Sequence, residues 1–136
     1  MSRLIIFALL FASLPGLCQS TAATKETDSA VLTWDENAFD FGDIRQGEKV
    51  EHTFKFRNTG SQPLIITNVS TQCGCTTPKG WPRDPVMPGG HGEITISFDS
   101  AGKIGRQNKV ATVISNAVNN KSNQLLLSGI VTEEIP

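Results

Sequence analysis

No apolar run in this chain reaches the roughly 20 residues a helix needs to span a bilayer. The longest, residues 4–14, stops at Pro15-Gly16, so no permanent transmembrane anchor is expected. Basic stripes are missing as well. The 12 Lys and Arg are scattered among 13 Asp and Glu, giving a formal net charge of -1, whereas a nucleic-acid binder carries a basic face. There is no nucleophile elbow, no phosphate-binding glycine loop after a strand and no carboxylate pair with a plausible base. Asp35-Glu36 and Glu133-Glu134 are adjacent acids near the ends of the folded region and read as solvated. An enzyme is therefore not expected. Amphipathic helical periodicity is absent after residue 20, and Cys occurs only three times.

What is present begins with an export leader. Met1-Ser2-Arg3, the apolar run and the small residues Ser20, Ala22 and Ala23 have the layout of a secretory signal peptide, taken here as residues 1–20. Leu17 before Cys18 argues against lipid attachment at that cysteine. Cleavage after Ser20 removes Arg3, leaving 11 basic against 13 acidic residues, so the charge moves from -1 to -2. The expected location is periplasmic or secreted. Residues 21–30 are polar and read as a flexible tether, and residues 31–133 as one domain of a size that supports a single core.

Within that domain the apolar pattern has a period of two. Val50, His52, Phe54 and Phe56 share one face while Glu51, Thr53, Lys55 and Arg57 share the other, which marks a half-buried strand. Val31, Leu32 and Trp34 begin an earlier extended segment, and Phe39-Asp40-Phe41-Gly42 follows it. Residues 63–69, 94–98, 110–114 and 125–131 supply further short strands. Residues 79–92 hold Pro82, Pro85, Pro88 and four glycines and read as a long loop crossing from one sheet to the other. Residues 115–122 carry Asn116, Asn119 and Asn120, favouring a hairpin or loop. Six or seven strands with regular turns predict an all-β, antiparallel immunoglobulin-like sandwich, with a small barrel as the alternative.

Loss of the leader leaves Cys73 and Cys75 alone, an even number in a disulfide-permitting compartment. On a continuing strand their Cα atoms would be roughly 6.6 Å apart, near the upper limit for a disulfide. Gly74 can shorten the gap, and the ring so formed would be strained and comparatively oxidising. A crosslink over so little chain stabilises a fold only slightly. Three uses remain open: a disulfide or thiol pair that fills a strand end, thiol exchange, or two thiolates clamping Cu(I) or half of a zinc site. Further ligands for such an ion could come from His91 and Met87 in the Pro-Gly loop, or from His52, although His52 is in phase with the apolar residues of its strand. No other motif implies a cofactor. A thioredoxin-like enzyme would need Cys-x-x-Cys at a helix start, and the spacing here is shorter. Trp81, beside Gly80 and Pro82, reads either as a contact anchor for a partner or as core cover. Asn68-Val69-Ser70 and Asn120-Lys121-Ser122 match the N-glycosylation pattern, which matters only in a eukaryotic host.

Phe39 to Gly42 (FDFG), Gly47, FKFRNTG from Phe54 to Gly60, PLII from Pro63, CGCT from Cys73, PGG from Pro88 and Ser115-Asn116 together resemble the bacterial DUF1573 family. The likeness spans nearly the whole domain. It implies an exported bacterial protein with an immunoglobulin-like sandwich similar to Hydin-type and major-sperm-protein domains, and it implies no activity. Family members often carry Glu after the Pro-Gly; Gly90-His91 stands here, so no acidic role carries over to that loop. The function expected is a non-catalytic binding or assembly module with a protein partner in the cell envelope. The alternative is a small copper- or zinc-handling or thiol redox protein.

Overall fold

A computed structural model describes residues 28–119 and 123–133, together with Gly16. Apart from Gly16, the proposed leader lies outside the described residues, as do most of the tether and Asn120. Eight strands are present among the described residues: β1 (Leu32–Trp34), β2 (Ala38–Arg45), β3 (Lys49–Asn58), β4 (Ile66–Thr71), β5 (Thr76–Gly80), β6 (His91–Asp99), β7 (Gly105–Ser115) and β8 (Gln124–Thr132). They form two four-stranded sheets, ordered β1-β3-β6-β5 and β2-β8-β7-β4.

The period-two pattern explains the packing. Phe54 and Phe56 of β3 and Ile94, Ile96 and Phe98 of β6 are buried against Val113 of β7 and Leu125, Leu127 and Val131 of β8. Alternate residues on each strand point to opposite faces, so each sheet turns one apolar side inward. Close approach is also built in. A Cβ at Gly92 would overlap the Phe56 ring, and one at Gly129 would overlap the ring of Phe41. Phe41 in turn stacks on Phe98 at 5.5 Å between centroids.

Four sequence expectations need correction. Pairing is mixed, because β2 runs parallel to β8; the chain switches sheets between β1 and β2, so the two border different layers. There are eight strands because residues 76–80 form β5 despite Pro78 and Gly80, with a register shift between those two residues absorbing the interruption. The Pro-Gly loop does not cross between sheets: β5 and β6 are antiparallel neighbours in one sheet, and the crossing occurs at the cysteines, between β4 and β5. Finally, the domain starts before residue 31. Ala30 is 1% exposed, its carbonyl accepts from Val118 N at 3.1 Å, and the Ser29 carbonyl accepts from Ser61 N at 2.9 Å. Asp28 accepts hydrogen bonds from Ser61 Oγ and Gln62 Nε2, so the polar composition of residues 28–30 conceals a docked segment.

Candidate functional site

Most of the motif residues hold the fold together. Asn58, at the end of β3, is fully buried. Its Oδ1 accepts from Val31 N at 3.3 Å and Gly60 N at 3.0 Å, while its Nδ2 donates to the Gln62 and Val86 carbonyls at 2.7 and 2.9 Å. Its backbone bonds Gly89 N and the Gly90 carbonyl. One side chain therefore joins β1, the β3–β4 turn and the Pro-Gly loop, satisfying groups that would otherwise be buried without partners. Gly60 presses against the backbone of residues 29–31 so closely that a Cβ would overlap it. Gly89 has a φ of 78°, open to glycine at little steric cost. Asn116 plays a matching part elsewhere, accepting from Ile65 N at 2.8 Å and donating to the Pro63 carbonyl at 3.0 Å.

The cysteines stand apart from this scaffold. Cys73 and Cys75 form a disulfide with Cα atoms 5.2 Å apart, shorter than a continuing strand would allow. The reason is a turn: Thr76 N donates to the Cys73 carbonyl at 3.0 Å, folding residues 73–76 back as the chain leaves one sheet for the other. Both cysteines are half-buried and Gly74 is exposed, with nothing within 4 Å of where its Cβ would lie. Cys75 N donates to Cys73 Sγ at 3.2 Å. Thr71 Oγ1 donates to the Thr76 carbonyl at 2.8 Å, bracing the turn from β4. On the side of β5, Cys75 borders a shallow trough of about 200 Å³ that also touches Lys49, Glu51, Thr77 and Lys79.

The other residues proposed as ligands are not brought to the sulfurs. Asp99, at the far end of β6, donates its N–H to the Cys75 carbonyl, while His91 begins that strand. Eight residues of strand place His91 roughly 26 Å away, opposite Arg57 on β3. Met87 is 60% exposed, and its carbonyl accepts from Gly90 N in the tight turn before His91. Nearness in sequence misled because β5 and β6 are antiparallel and their connecting loop lies at the opposite end from the cysteines. His52 is part of the packing, stacked on Phe39 at 3.8 Å and bonded to Glu36 Oε1. Among the described residues, no group of three or more His, Cys, Asp or Glu could hold a metal ion. Trp81 packs against the core with the Arg83 guanidinium 4.0 Å from its ring centroid.

Pairing of β2 with the last strand, β8, in a two-sheet stack defines an immunoglobulin-like sandwich carrying one half-buried disulfide at a sheet-crossing corner. The family model described as "Protein of unknown function (DUF1573)" matches residues 32–131, and the chain belongs to that family. Solved structures agree on the fold. A protein of unknown function from Porphyromonas gingivalis W83 is 19% identical with a TM-score of 0.63, covering 82% of this chain and 51% of that one. The ASH/PapD-like domain 7 of human CEP192 is 12% identical with a TM-score of 0.61, covering 98% of this chain and 100% of that one. The secreted serine protease VesC from Vibrio cholerae is 13% identical with a TM-score of 0.55, over 76% of this chain and 23% of the protease. This chain thus spans about half of the Porphyromonas protein and under a quarter of VesC. No curated protein matches it.

Proposed function

We propose that this protein is an exported, non-catalytic binding module of the cell envelope that takes an extended segment of a partner protein along β4. The observation that carries this reading is the contrast among the four edge strands. β1 is only three residues long; β2 bears Asp40, Asp43 and Arg45 and is interrupted by an irregularity between Asp40 and Asp43; β5 contains Pro78 and Lys79. Shortness, charge, bulges and proline are the usual ways of blunting an edge. β4, with the sequence ITNVST, carries no charge and no proline, and its one irregularity, between Ile66 and Asn68, leaves Asn68 to Thr71 in regular pairing with β7. It borders exposed Ile65 and Ile114, so an added strand would gain main-chain hydrogen bonds along its length and apolar contact beside it.

Lysines at two exposed β4 positions, Asn68→Lys and Ser70→Lys, test the proposal without touching the core. The full-length protein and the double variant are crosslinked in the producing cells and recovered from the exported fraction. The expected result is a discrete protein adduct for the wild type, lost in the variant, on a chain whose mass lacks the leader. An adduct retained by the variant, or no specific adduct for the wild type, overturns the reading.

A further inference from the structure

The disulfide has three features that a fold-holding crosslink does not require. It closes a sequence separation of only two residues, so it constrains the unfolded chain little. Its sulfurs belong to half-buried residues on either side of an exposed glycine, at a corner with open space around Gly74. Its two sulfurs also differ in environment. Cys73 Sγ accepts the Cys75 N–H at 3.2 Å, whereas Cys75 borders the trough beside β5.

These differences have a chemical consequence. In thiol–disulfide exchange, the sulfur that leaves as the better-stabilised thiolate sets which bond breaks fastest. An amide N–H directed at a sulfur favours its charged form, and here it is directed at Cys73. Of the two cysteines, Cys75 is the one that borders the trough, while also packing against the core, and its Sγ has only a longer contact, 3.8 Å to the Thr76 hydroxyl, against the 3.2 Å amide contact at Cys73. Charge beside the trough is balanced, with Lys79 3.7 Å from Glu51, so an incoming thiolate meets no net repulsion there.

We infer that Cys73–Cys75 is a directional thiol–disulfide exchange site for a dithiol protein, attacked at Cys75 with Cys73 as the leaving group. In the first step a partner thiolate bonds to Cys75 Sγ, the Cys73–Cys75 bond breaks, and its electron pair departs on Cys73 Sγ as a thiolate held by the Cys75 amide. In the second, the partner's other thiolate attacks the partner sulfur of the mixed disulfide, and Cys75 leaves as a thiolate. The partner dithiol is oxidised to a disulfide by two electrons. This chain is reduced by the same two electrons and takes up the two protons. The inference is independent of strand addition at β4.

The test uses the oxidised full chain and reduced glutathione as the probe near neutral pH. Rapid acid quenching and maleimide blocking are followed by fragment mass spectrometry across residues 73–75, with circular dichroism monitoring the fold. Glutathione on Cys75 in about tenfold excess over Cys73, the scale set by a difference in leaving-group acidity, is the expected result, with the spectrum of the folded protein unchanged. An even split, a dominant Cys73 adduct, or adducts appearing only when the protein unfolds would each overturn the assignment. Replacing Cys73 with Ser removes the leaving sulfur. In this variant Cys75 should keep an adduct formed from glutathione disulfide, since no neighbouring thiol is present to displace it; rapid loss of that adduct without added thiol would count equally against the proposal.

Discussion

The two ends of the sandwich are built on opposite principles. At one, Asn58 gathers β1, the β3–β4 turn and the Pro-Gly loop around a buried amide. At the other, the chain crosses between sheets through a turn whose disulfide spans two residues and stands half open to solvent. The first arrangement satisfies groups that would be costly to leave buried and unpaired; the second adds little that folding needs. A motif can therefore mark either a structural necessity or an exposed chemistry, and burial together with hydrogen bonding separates the two.

That contrast can be broken most sharply at Asn58. Asn58→Ala removes four hydrogen bonds at a buried site, orphaning Val31 N, Gly60 N and the Gln62 carbonyl while the Val86 carbonyl keeps Leu64 N, and at about 1 kcal/mol for each lost partner the variant should lose about 3–4 kcal/mol in denaturant unfolding. A loss under about 1 kcal/mol would show that the cradle is not what holds this end. The cysteines should respond less. For a loop of about three residues the chain-entropy relation gives roughly 1.5 kcal/mol, so the Cys73→Ser/Cys75→Ser double variant should stay folded and lose no more than about that amount. Unfolding of the double variant would make the corner as structural as the Asn58 end.

The smallest effect is expected at Asp28. Hydrogen bonds from Gln62 first and then Ser61 hold its carboxyl below the ordinary value of 3.8, against a slight opposing effect of desolvation. A folded-state pKa below the unfolded one means that the stabilisation is complete above the unfolded value and disappears as pH falls through the folded value. Acid unfolding of Asp28→Asn should therefore depend slightly less on pH below about 3.8 than that of the wild type. Identical acid profiles would remove Asp28 from the docking of residues 28–30.

The sheets were legible wherever a strand had one wet and one dry face. β3 announced itself through Phe54 and Phe56, and even His52 fell on the packed side as its phase required. β5 was hidden because an edge strand pairs on one side only, so Pro78 and Gly80 cost it little, yet in sequence they read as loop. The fate of Asn58 was equally hidden: a run of Asn, Thr and Gly signals a turn, and only the fold reveals that the amide is buried beneath it. His91 and Met87 lay close to the cysteines in sequence, but strand direction decides which end of a sheet a loop occupies, and no local pattern encodes that.

The parallel pairing of β2 with β8 has a consequence for the order of assembly. β8, the last strand, lies inside its sheet between β2 and β7, and it pairs Ile44 with Val131 across most of the domain. Contacts of such long range close slowly because the loop entropy precedes the reward. A nascent chain that has not yet released residues 124–132 lacks the centre of one layer, so the sandwich closes only after its final strand has emerged, and until then the polypeptide remains open enough to be threaded.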